Sequence, residues 1–89
     1  MATSVNAVVQ NERGIHARPS SEIAKEALKY KSKVTIKYNG KMANAKDVLQ
    51  LIILELFKGS KVEISADGED AKTACESVKR LVEQEYKFD

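Results

Sequence analysis

The chain is poor in the residues that usually carry chemistry or staple a small fold. It has one cysteine (Cys75), one histidine (His16), one proline (Pro19) and no tryptophan in 89 residues. A lone cysteine cannot form an internal disulfide, so stability must come from a packed core, and a reducing compartment suits such a chain. One histidine and one cysteine far apart make no metal-ligand cluster. With four glycines and no glycine-rich loop there is no nucleotide cradle, and no Ser/His/Asp motif is present. The longest apolar run, Leu51 to Leu54, is far too short to span a bilayer. Met1-Ala2-Thr3-Ser4 lacks the basic and apolar regions of a secretory signal. The net charge of +2, with fifteen basic residues interleaved among thirteen acidic ones, does not point to nucleic acid. The expectations are a cytoplasmic protein without metal, cofactor, nucleic-acid partner or membrane insertion.

What is present reads as one domain over residues 1–89. Val5 to Gln10 reads as a strand, with Val5, Ala7 and Val9 on one face. A helix is predicted from about Ala17 to Lys29, burying Ile23, Ala24, Ala27 and Leu28, with Glu22–Lys25 and Glu26–Lys29 on its wet side. Lys33 to Tyr38 alternates as a half-buried strand. Asn39-Gly40 is a strong hairpin signal that pairs Tyr38 with Lys41 and Ile36 with Ala43, leaving Met42 outside on a short edge strand. Lys33, Lys37 and Lys41 could line a basic stripe on the wet face, but without aromatic residues among them it reads as solvated surface.

Asp47 is a good N-cap for a second helix, Val48 to about Phe57, closed by Lys58 and a left-handed Gly59. Its apolar residues cover more than one stripe, so part of the surface should stay exposed as a protein docking site; deeper burial is the alternative. Lys61 to Ala66 is a fourth strand, and Asp67-Gly68 turns the chain into a third helix ending near Tyr86. On that helix Cys75 joins the apolar stripe, and Glu76–Arg80, Lys79–Glu83 and Glu83–Lys87 fall at supportive i,i+4 spacing. One-sided alternation in the strands predicts an α+β open sheet with helices on its apolar face.

The stretch around which these elements arrange themselves is Gly14-Ile15-His16-Ala17-Arg18-Pro19-Ser20. Proline is tolerated in the first turn of a helix, where its missing N–H has no intrahelical partner, so His16 sits at or just before a helix N-terminus. That end favours an anion by about 0.3–1 kcal/mol per charge when exposed. Arg18 adds a permanent cation whose planar donors suit phosphate. An imidazole beside such a cradle is a nucleophile able to carry a phosphoryl group; a surface histidine near a helix cap is the plainer reading.

These residues resemble the active-site signature of the HPr histidine phosphocarriers of the phosphoenolpyruvate-dependent sugar phosphotransferase system. The similarity continues through Tyr38-Asn39-Gly40-Lys41, Asn44-Ala45-Lys46, Lys58-Gly59 and Ala66-Asp67-Gly68, nearly the whole chain. It implies an open-faced sandwich of four antiparallel strands in the order 1-4-2-3 under three helices, βαββαβα. It also implies a monomeric carrier rather than an enzyme, with His16 Nδ1 taking phosphate from enzyme I and passing it to enzyme IIA domains. Arg18 would steady the phosphoryl group, and Ala17, Ser21, Val48, Leu49 and Ile52 would dock the partners. Asp47 stands where relatives usually carry a serine that a dedicated kinase can phosphorylate. That departure raises an alternative: a regulatory paralogue, such as the nitrogen-related branch, which signals to other proteins.

Overall fold

The computed structural model describes residues 2–86. Seven elements follow in chain order: β1 (Ala2–Val8), α1 (Ala17–Ala27), β2 (Lys33–Tyr38), β3 (Lys41–Asn44), α2 (Val48–Ile53), β4 (Lys61–Asp67) and α3 (Ala71–Val82). The strands form one antiparallel sheet in the order β1-β4-β2-β3. Val34, Ile36, Val62, Ile64 and Ala66 point to one face and are buried, whereas Lys33, Lys37 and Lys61 on the other are exposed. All three helices cover the apolar face: α3 packs on β1 and β4, α1 on α3 and α2, and α2 reaches β3. This is the open-faced α+β sandwich that the resemblance implied.

The β2–β3 register is set by the turn. Asn39 and Gly40 both take positive φ, 52° and 81°, the geometry that matches strand twist in a two-residue hairpin. Tyr38 then faces Lys41 and Ile36 faces Ala43, as the sequence predicts. The register breaks up the basic stripe, however. Lys37 lies opposite Met42, so Lys41, one residue earlier, leaves on the Tyr38 side of the sheet.

Three helix boundaries differ from expectation. α1 ends at Ala27, so Leu28 becomes its C-cap and is 63% exposed instead of closing the buried stripe. α3 ends at Val82, and Tyr86 is buried beyond the helix, its hydroxyl donating to Leu81 O. α2 spans only six residues. Glu55 turns left-handed at φ 55°, releasing Leu56 into the core as a separate anchor. Gly59 therefore does not cap a helix; it turns the chain into β4, its N–H donating to Val9 O. Of the expected ion pairs, Glu26–Lys29 (3.0 Å) and Lys79–Glu83 (3.6 Å) form; Glu83–Lys87 lies outside the described residues. Cys75 is fully buried, and burial pushes its thiol pKa up, in keeping with a packing role.

Two polar devices close the fold. At the edge strand β1, α3 reaches over the rim: Lys79 Nζ donates to Asn6 O (2.6 Å) and Glu83 Oε2 accepts Val8 N–H (3.0 Å). At the start of α3, the Asp70 carboxylate accepts from Lys31 N, Ser32 N and Ser32 Oγ, tying the α1–β2 turn to the helix. The Ser32 hydroxyl leads, followed by the Lys31 N–H, in holding the Asp70 pKa down to about 2. A carboxylate whose pKa is depressed on folding contributes stability above its unfolded value, and loses it as pH falls through the folded one. Asp70→Asn should therefore be less stable than wild type at pH 6, with the gap closing between about pH 4 and pH 2. Urea unfolding across that range checks this; a gap unchanged down to pH 2 would refute the clamp.

Candidate functional site

His16 is the N-cap of α1, with extended backbone (φ −109°, ψ −153°), and its carbonyl accepts the first intrahelical bond from Ser20 N at 2.9 Å. Its imidazole does not cap the helix, and no acidic residue stands in the first turn. The positive end of this eleven-residue helix is thus not offset by its own carboxylates. Pro19 is the third helical residue, buried, where a missing N–H costs nothing. Ala17 and Arg18 are exposed, Ser21 is half-buried, and the His16 ring is half-buried with Nε2 turned inside.

The approach to His16 is held rigidly. Gly14 takes φ 76°, and a Cβ on it would collide with the Leu56 carbonyl and the Phe57 Cα. Only glycine permits both the left-handed conformation and that close approach. Ile15 is buried, and its N–H donates to Leu56 O at 2.9 Å. The His16 loop is therefore bolted to the segment that leaves α2.

This bolt brings together the two regions singled out from sequence. On α2, Leu51 is fully buried and Val48 and Ile52 are half-buried, while Leu49 (71%) and Ile53 (65%) are exposed, as is Phe57 (61%) beyond its end. The apolar excess of α2 does remain at the surface. Its most exposed members include Ile53 and Phe57, which the expected docking set omitted. The signal was the i,i+4 spacing of Leu49 and Ile53, continued by Phe57 beyond the helix. Phe57 lies beside Gly14, at the His16 end of the patch.

Asp47 caps α2 as expected. Its Oδ1 accepts Gln50 N at 3.2 Å and its Oδ2 accepts Gln50 Nε2 at 3.3 Å, while Gln50 Oε1 accepts Asn44 N at 2.8 Å. An open groove of about 640 Å³ lies elsewhere, at the end of the sheet among Asn6, Lys37, Tyr38, Lys61 and Glu63. His16 does not line it. Among the described residues no three His, Cys, Asp or Glu side chains gather to hold a metal, and no helix is long and apolar enough to cross a membrane.

Residues 3–84 match the family model for the PTS HPr component phosphorylation site, which takes in this whole arrangement. The chain belongs to the HPr family. It is 42% identical over 69 residues to the phosphocarrier protein HPr of Buchnera aphidicola subsp. Acyrthosiphon pisum, covering 78% of this chain and 81% of the relative. With HPr of Vibrio cholerae it shares 42% over 73 residues, 82% of this chain and 86% of the relative. The crystal structure of HPr from Bacillus anthracis str. Ames superposes with a TM-score of 0.88 at 28% identity, covering 92% of this chain and 98% of that one. The function is that of a phosphocarrier in the phosphotransferase system, a relay component rather than a catalyst. These relatives do not favour the regulatory paralogue as an alternative.

The burial contrast on α2 has a direct consequence. Leu51→Ala should cost about 2–5 kcal/mol of stability, the range for a fully buried leucine. Leu49→Ala should change it by about 0.5 kcal/mol or less, as for other exposed positions. Denaturant midpoints of the two variants measure the difference; comparable losses would mean that Leu49 belongs to the core.

Proposed function

We propose that His16 Nδ1 is the phosphoryl acceptor, charged by phospho-enzyme I and discharged to enzyme IIA domains in the cytoplasm. In each step the P–N bond on His16 forms as the donor's bond to phosphorus breaks, or breaks as the acceptor's bond forms. The observation that carries this reading is the half-exposed imidazole held at the N-terminus of α1. Nε2 is turned inside, and the choice of Nδ1 as acceptor follows the family resemblance. Helix N–H groups and the exposed Arg18 then steady the phosphate charge. This stabilisation has to remain weak, since a carrier that gripped its cargo would not release it.

Ala17, Ser21, Val48, Leu49 and Ile52 form the docking surface in this reading, extended by Ile53 and Phe57. An apolar patch beside the transferred group lets successive partners bind through one modest area and dissociate quickly. Incubation with enzyme I, phosphoenolpyruvate and Mg²⁺ should give an acid-labile, base-stable adduct that His16→Ala lacks. Arg18→Ala should slow transfer while changing stability by about 0.5 kcal/mol or less. A full adduct on His16→Ala would sink the proposal, and unchanged transfer in Arg18→Ala would remove the arginine from it.

Asp47 is the regulatory position in this reading. It has no hydroxyl, so control by a serine kinase is lost there, and it sets a fixed negative charge beside the patch, with fewer oxygens than phosphoserine. The carboxylate is engaged with Gln50, which supports tolerance of that charge by the cognate enzyme I. Asp47→Ser should accelerate transfer from the cognate enzyme I no more than a few-fold, with the larger gain for a non-cognate one. Single-turnover rates compare them; a large gain with the cognate partner would instead indicate a self-damped carrier.

A further inference from the structure

Asn11 is 3% exposed, although its loop neighbours Glu12 and Arg13 are exposed. A buried amide is costly unless its hydrogen bonds are made. Asn11 makes them in two directions. Its Nδ2 donates to Gly14 O at 2.8 Å, and its Oδ1 accepts Tyr86 N–H, 75 positions along the chain, also at 2.8 Å. Its main-chain carbonyl accepts Gly14 N at 2.9 Å, closing the turn. Tyr86 is itself buried and fastened to the end of α3 through Leu81 O.

Gly14 C=O and Ile15 N–H are the two ends of one peptide unit, the last complete unit before the one that leads into His16. Asn11 holds its oxygen and Leu56 O holds its N–H. A planar group gripped at both ends cannot rotate, so the direction in which the chain arrives at His16 is set. We propose that Asn11 is a positioning residue of the phosphocarrier site, a latch that fixes the Gly14–Ile15 peptide plane and ties it to the segment after α3. This rests on His16 being the phosphorylated residue. Phosphoryl transfer between two proteins demands in-line placement of the acceptor nitrogen, and a displacement of about 1 Å can cost on the order of a hundredfold in rate. Freeing one end of the peptide unit leaves the docking patch intact and loosens only the aim of the imidazole.

Two variants separate the arms. Asn11→Asp keeps the acceptor for Tyr86 N–H but turns an oxygen toward Gly14 O in place of the donor; Asn11→Ala removes both. Single-turnover transfer from phospho-enzyme I should show a maximal rate about five- to tenfold lower in both variants. The half-saturating concentration should stay within about twofold of wild type, because α2 is untouched. The amide resonances of Ile15 and His16 should move in Asn11→Asp. Ser32→Ala, which loosens the distant Asp70 clamp, controls for stability: it should lower the melting temperature with the maximal rate unchanged. If folded Asn11→Asp transfers at the wild-type maximal rate, or if Ser32→Ala slows transfer equally, the latch is overturned. Phosphorylation of the wild type at a residue other than His16 would overturn the parent assignment and the latch with it.

Discussion

The bond from Ile15 N–H to Leu56 O is the contact on which the working surface depends. It joins the loop before α1 to the segment after α2, stretches far apart in sequence, at a point where Gly14 has no side chain to keep them separate. Without it, the N-terminus of α1 and the apolar face of α2 would be two unrelated features of a small sandwich. With it, the His16 imidazole, a positive helix end and a hydrophobic patch are held together. The sheet beneath carries the helices on its buried face, and its other face bears the exposed lysines Lys33, Lys37 and Lys61.

Much of this was legible because short-range chemistry dictated it. Asn39-Gly40 admits few turns, and the turn alone set which residues face each other across β2 and β3. Pro19 placed the start of α1, and Asp47 the start of α2, for reasons local to one turn of backbone. The strand order β1-β4-β2-β3 came through family resemblance, since alternation in a strand says which face is wet and nothing about its neighbours.

The ends of helices were harder to see, for a physical reason. From Val48 to Phe57 nearly every residue is apolar, so neither periodicity nor a polar break marks where α2 stops. It stops at Ile53, and Glu55, a residue with no special liking for the left-handed region, turns the chain away because burying Leu56 and engaging its carbonyl with Ile15 outweigh the local cost. Asn11 was hidden for the opposite reason. It looks like any polar loop residue, and its partner Tyr86 lies at the other end of the chain. Links of that length leave no periodic trace.

The rim of β1 bears on how such a carrier can be used in quantity. A relay that works by collision delivers flux in proportion to its concentration, whereas self-association between copies grows with the square of it. An edge strand with bare N–H and C=O groups is where such association starts. Here Lys79 and Glu83 occupy a carbonyl and an N–H of that edge with the ends of their own side chains, so α3 stands in for the missing neighbour strand. Two of the groups through which a second copy could add a strand at this rim are thereby already taken by the chain's own side chains.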